Sequence, residues 1–92
     1  MTDNTHRVQL IEGRLREALA PEWLEIIDES HLHIGHVGAK DGRGHFRVRI
    51  ASALFEGLSR MARHRLVYRA LGTLMQSDIH AVNIEAFSSN EL

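Results

Sequence analysis

Seven histidines and no cysteine among 92 residues set the chemistry open to this chain. Imidazole nitrogens can ligate a borderline metal ion or carry a proton near neutral pH, whereas thiolate ligation and disulfide formation are closed to it. His31, His33, His36, His45 and His80 flank or end segments that read as strands. His80 and His45 each stand at a strand entry, where a rigid element holds an imidazole in a fixed direction, as a ligand requires. A capping or surface histidine is the plainer reading of each from spacing alone. His31, His33 and His36 form H-x-H-x-x-H, a cluster able to bind Zn²⁺ or Ni²⁺, but no carboxylate or thiol completes a tetrahedral set at a familiar spacing. A solvated histidine pair describes His31 and His33 better. His64 sits between Arg63 and Arg65 with Tyr68 four residues on, a placement that suits packing. His6 lies in the N-terminal approach and is expected to be inert.

The elements that must position these side chains are legible in the hydrophobic spacing. Val8, Ile11, Leu15 and Leu19 recur at three- and four-residue steps and predict a first helix. Thr2, Asp3, Asn4 and Thr5 offer cap oxygens before it, and Pro21 ends it. Residues 23–30 read as a strand with Leu24, Ile26 and Asp28 on one face. Residues 31–44 form a loop holding Gly35, Gly38, Gly42 and Gly44. Residues 45–51 alternate strictly, with Phe46, Val48 and Ile50 inward and Arg47 and Arg49 outward, so His45 is expected to face out with the arginines. The two strands make a hairpin whose long glycine-rich connection suggests function. Residues 52–57 hold one helical turn closed by Gly57. Ser59 then caps a helix from Arg60 to about Gln76, with Met61, Leu66, Val67, Ala70, Leu71 and Leu74 as its apolar stripe. Ser77 and Asp78 break it, and Ile79–Phe87 is a third strand with Val82, Ile84 and Ala86 on one face. The tail, 88–92, is polar. Three strands covered by helices on one face make a small α+β sandwich. It is read as a single domain over residues 1–92, with an ordered core of about 5–87.

Composition narrows the function classes. The formal net charge of −1 argues against bulk electrostatic attachment to nucleic acid. The N-terminus has no apolar stretch of the kind a secretory signal needs, and no run approaches the ~20 apolar residues of a membrane span. A cytoplasmic chain is therefore expected, with no membrane partner. Catalysis finds no foothold: the serines lack a nucleophile elbow, and Asp28 and Glu29 are adjacent in a strand and point apart. The chain is not expected to be an enzyme. Gly35-His36-Val37-Gly38 matches the GxxG of KH domains in letters only, because that loop clamps a nucleic-acid backbone between two helices and here it joins two strands.

The stretch Phe55-Glu56-Gly57-Leu58-Ser59, the block Arg63-His64-Arg65-Leu66-Val67-Tyr68 and the later Ile79-His80-Ala81 resemble the BolA family. Gly35-His36 followed by His45-Phe46-Arg47-Val48 fits the same pattern. The resemblance covers roughly residues 8 to 87. It implies a type II KH-like fold with a three-stranded mixed sheet, in the order helix, strand, strand, helix, helix, strand. It also implies a heterodimer with a monothiol glutaredoxin that shares a 2Fe–2S cluster. In such a complex the partner and a bound glutathione supply thiolates, and this chain supplies histidines. One family ligand, the histidine of the Ile-His-Ala motif, falls on His80. The other comes from the loop between the first two strands and falls on His36, with His45 as the competing loop ligand.

The family is also described as transcriptional regulators acting through a helix-turn-helix-like segment, which falls on residues 55–68. Arg60, Arg63, Arg65 and Arg69 lie there without an intervening acid, so contacts to duplex DNA phosphates are chemically reasonable. No set of Asn, Gln or aromatic side chains for reading bases accompanies them. A solvated face that complements an acidic partner accounts for the same arginines. A mononuclear metal buffer built on the histidine loop is a third, weaker reading.

Overall fold

The computed structural model describes residues 4–30 and 44–91. Helix α1 (Thr5–Leu19) is followed by strands β1 (Trp23–Asp28) and β2 (Gly44–Ala51). A single 3-10 turn (Ala53–Phe55) leads into helix α2 (Arg60–Leu71), the short helix α3 (Leu74–Ser77) and strand β3 (Ile79–Phe87). A last 3-10 turn spans Ser89–Glu91. The loop containing His31, His33 and His36 lies outside the described residues.

The sheet runs in the order β1-β2-β3. Strands β1 and β2 pair antiparallel from Trp23↔Ala51 to Asp28↔Phe46, and β3 joins β2 in parallel, so the sheet is mixed. Strict alternation in β2 buries Phe46, Val48 and Ile50 on one face. Against that face α1 lays Ile11, Leu15 and Leu19, α2 lays Val67 and Leu71, and α3 lays Leu74. The opposite face carries an ion-pair row in which Glu25, Arg49 and Glu85 alternate in charge across the three strands, with Arg47 bridging Glu29 and Glu85 at 3.0 and 2.8 Å. Arg49 also lies over the Trp23 ring at 5.2 Å.

Local signals explain the boundaries. Ala20 adopts φ +44° at the end of α1 and its N–H returns to the Arg16 carbonyl, after which Pro21 cannot continue the helix. The Ser59 hydroxyl accepts from Ala62 N–H and starts α2 as expected. The spacing predicts one helix running to about Gln76, but α2 stops at Leu71. Gly72 at φ +54° breaks the hydrogen-bond ladder, and α3 is a separate turn. The predicted stripe also misplaces Met61, which is 64% exposed because helical geometry turns it away from Val67 and Leu71. Among the described residues no helix is long and apolar enough to cross a membrane.

Candidate metal centre

The parallel pairing of β2 with β3 is interrupted where the histidines sit. Gly44 pairs with Ile79, but the next residue, His45, pairs with Ala81. His80 is thus an extra residue in β3, a bulge that re-aims a side chain at the strand's entry. Ile79 is fully buried and anchors the start of the strand, while His80 is exposed. The imidazoles of His45 and His80 lie with ring centroids 5.0 Å apart and planes inclined at 47°. His45 is on the sheet face opposite Phe46, as alternation predicts, yet only 7% exposed. The expectation that it faces solvent fails because His80 and the turn after β1 lie against it.

That turn is held tightly. The His45 N–H donates to Ser30 Oγ at 3.0 Å, and the Glu29 N–H donates to the His45 carbonyl at 2.8 Å. Ser30 Oγ also accepts from Asn4 Nδ2 at 3.0 Å, and Ser30 N–H donates to Asp28 Oδ1 at 2.9 Å. Gly44 closes the neck of the loop: its N–H donates to the Asp78 carbonyl at 2.9 Å, and a Cβ there would fall 2.5 Å from the Phe46 ring. Asp78 is fixed in turn by Arg7 Nε at 3.2 Å. A hydrogen bond from Ser77 and the charge of Arg7 hold the Asp78 carboxyl below its ordinary pKa. Both sides of the histidine pair are therefore clamped to the N-terminal turn of α1.

Of the residues singled out in the sequence, the structure brings His80 and His45 together. His36, with His31 and His33, lies outside the described residues. His64 sits half-buried on α2, and burial, followed by the charge of Arg60, lowers its pKa. Arg60, Arg65 and Arg69 are exposed on α2. Arg63 departs from that set. Its side chain is 13% exposed, and it donates to the carbonyls of Leu58 and Ala86 and to the Glu91 carboxylate, so it ties α2 to the end of β3. The ties made by Asn4, Arg7, Ser30 and Asp78 carry no sequence signal, because they join segments far apart in the chain. The bulge did leave one. Ile79 and Val82 are both apolar at a three-residue step, which strict alternation cannot place on one face.

Two imidazoles are half of a tetrahedral ligand set. Among the described residues no third His, Asp or Glu joins them to hold an ion. Both ring nitrogens of His45 are buried whereas His80 is exposed, so of the two imidazoles it is His80 that is open to a metal from outside the chain. An ion held here would need further ligands beyond these two residues.

Comparison with known proteins agrees with this architecture. The family model described as BolA-like protein matches residues 15–91. Human BolA-like protein 1 is 45% identical over 76 residues, covering 83% of this chain and 53% of its own length, so the chain spans about half of that relative. The DNA-binding transcriptional regulator BolA of Vibrio cholerae is 37% identical over 82 residues, covering 89% of this chain and 74% of its own. Among solved structures, the BolA domain of SufE1 from Arabidopsis thaliana superposes with a TM-score of 0.80 at 35% identity, covering 100% of this chain and 99% of the other. The mixed three-stranded sheet, the helices on one face and the matched sequence together make this chain a member of the BolA-like family.

Proposed function

We propose that this chain is a non-enzymatic partner of a monothiol glutaredoxin, with which it holds one 2Fe–2S cluster in iron–sulfur or iron homeostasis. The observation that carries this reading is the exposed His80 imidazole, set on a bulge beside a second imidazole, in a chain that has no thiolate of its own. Partner cysteine and glutathione would supply the sulfur ligands. A cluster held partly by histidines would have a higher reduction potential than an all-thiolate one. His80 is the fixed ligand because it faces outward from a rigid strand. Two histidines compete for the second position. Family resemblance points to His36, and proximity points to His45. Burial argues that His45 orients the His80 ring, since an imidazole whose two nitrogens are both buried has little to offer a partner. A ligating imidazole must be neutral, so acidification weakens the complex.

The test mixes the protein with cluster-loaded monothiol glutaredoxin and follows visible absorption and circular dichroism. His80→Ala is expected to abolish the heterodimer spectrum, and an unchanged spectrum would sink the proposal. His36→Ala and His45→Ala then separate the second ligand from the residue that orients the first.

A second reading, DNA binding through α2, is favoured by the exposed Arg60, Arg65 and Arg69 and by the similarity to the DNA-binding transcriptional regulator of Vibrio cholerae. It requires affinity for duplex DNA that falls steeply with salt and is weakened by Arg65→Ala. Arg63→Ala is not diagnostic, because that side chain holds α2 to β3. Undetectable or salt-insensitive binding ends this reading.

A further inference from the structure

Strand β3 is at the edge of the sheet, and its backbone is not capped uniformly along that edge. The Phe87 carbonyl accepts from Ser52 N–H, 3.0 Å away and following β2, whereas the Ala86 carbonyl accepts from Arg63 on α2, 3.2 Å away. Backbone groups of successive strand residues point to opposite edges, and the register from Ala81 to Phe87 is unbroken. Val82 and Ile84 therefore turn their N–H and C=O groups away from β2, like Ala86. Arg63 caps only the last of the three. Among the described residues no strand pairs with the other two. Beside them a hollow of about 490 Å³ opens, lined by Ala81, Val82, Asn83 and Ile84 of β3 and by His64 and Tyr68 of α2.

Glu29 and Arg47 also line the hollow but pair with each other at 3.0 Å, so among the described residues the unpaired charge near it comes from α2. Arg7, Arg16, Arg47, Arg49 and Arg63 each pair with a carboxylate. Arg60, Arg65 and Arg69 are exposed and, among the described residues, form no such pair. Arg60, His64 and Tyr68 follow one another at four-residue steps, so Arg60 continues the helix face that lines the hollow. Met61 and Tyr68, 64% and 43% exposed, add apolar surface between these charges.

The geometry points to strand addition: the β3 edge at Val82 and Ile84 receives an extended, acidic segment of a protein partner, laid between β3 and α2. Paired donors and acceptors at a strand edge are complementary to another strand, and alternate side chains then supply specificity. A phosphate backbone would use the donors only and would leave the outward carbonyls unmatched. The surface is continuous with the histidine pair, since His45 also lines the hollow, but it stands on the strand edge and does not require a cluster.

The test uses the full chain, labelled with nitrogen-15. A blocked peptide of about seven residues alternating valine and glutamate is titrated to about 1 mM, where weak strand addition is measurable. The amides of Val82 and Ile84 are expected to shift most and to gain protection from exchange. Val82→Pro removes a donor that faces the open edge and leaves the β2 ladder intact, so it is expected to weaken binding about five- to tenfold, the loss of one hydrogen bond. Methylating the peptide's own backbone nitrogens is expected to have the same effect on the unaltered protein. A lysine-for-glutamate peptide is expected to bind more weakly still. Absence of binding, shifts confined to other residues, or indifference to both Val82→Pro and N-methylation would overturn the proposal. Shifts of the same amides by a short duplex DNA but not by the peptide would overturn it in favour of nucleic acid. Concentration-dependent shifts in the protein alone would assign the edge to a second copy of the chain.

Discussion

His45 and His80 meet across two parallel strands with their rings 5.0 Å apart, one ring buried and the other exposed. The asymmetry follows from the bulge. Because His80 is an extra residue opposite β2, its side chain need not alternate into the core, and it lies beside His45 instead of behind it. One histidine is thus part of the fold, and the other is carried by it.

This division predicts different costs for the two substitutions in the isolated protein. His45→Ala removes a buried ring from a packed position and is expected to lower stability by about 1–2 kcal/mol. His80→Ala changes an exposed position and is expected to stay within about 0.5 kcal/mol of the parent. Urea denaturation of both variants checks this. Equal destabilisation would mean that the two rings are structural alike and that neither is presented to a partner.

The clamp below the histidines has a pH signature. Hydrogen bonding by Ser77 and the nearby Arg7 hold the Asp78 pKa below its ordinary 3.8. A depressed carboxyl pKa adds stability that is complete above the unfolded value and is lost as pH falls through the folded value. Asp78→Asn is therefore expected to cost about 1 kcal/mol at neutral pH. The gap between parent and variant should shrink once the pH drops below about 4, where the unfolded carboxyl is already protonated. Denaturation midpoints measured at neutral and acidic pH decide the matter. A gap that stays constant would show that charge has no part in the clamp.

Arg63 was legible as a cation but not as a tie. Its guanidinium and the Ser88 N–H pull the Glu91 pKa down from 4.5 to about 2. Titration of the Glu91 carboxyl carbon by NMR is expected to give a midpoint near that value, and Arg63→Ala should return it toward 4.5. The same variant should loosen the final turn against β3. A Glu91 midpoint that Arg63→Ala leaves unmoved would show that the guanidinium does not hold this carboxylate.

The sequence made periodic elements visible wherever one face is buried. Phe46, Val48 and Ile50 marked β2, and Ile11, Leu15 and Leu19 marked α1, because burial imposes the period on the residue types. It was less informative where a single backbone conformation decides. Leu71 and Leu74 kept the helical period across Gly72, so the break between α2 and α3 was hidden by an apolar step that both helices share. The candidate site was half legible. His80 and His45 stood out as residue types, but their meeting depends on a one-residue register shift and on ties from Asn4 and Arg7, which no local pattern encodes. The inward turn of Arg63 was hidden for a similar reason, since its acceptors lie at the end of a later strand.

Two helix ends in this fold carry residues whose conformations ask for opposite substitutions. Ala20 holds φ +44°, a left-handed conformation that costs a residue with a Cβ about 1 kcal/mol. Ala20→Gly removes that strain and is expected to raise stability by up to about 1 kcal/mol, the gain being reduced by the greater freedom of glycine in the unfolded chain. Gly72 holds φ +54° and ψ −129°, and a Cβ there would come within 3.2 Å of Arg14 Nη1, the group that donates to the Leu71 carbonyl. Gly72→Ala should therefore cost more than about 1 kcal/mol, through both backbone strain and a displaced Arg14. Thermal unfolding of the two variants should move in opposite directions, by several degrees each for a domain of this size. If Gly72→Ala proved neutral, α2 and α3 could merge into the longer helix that the apolar spacing predicts, and the entry to β3 that carries His80 would have to shift with them.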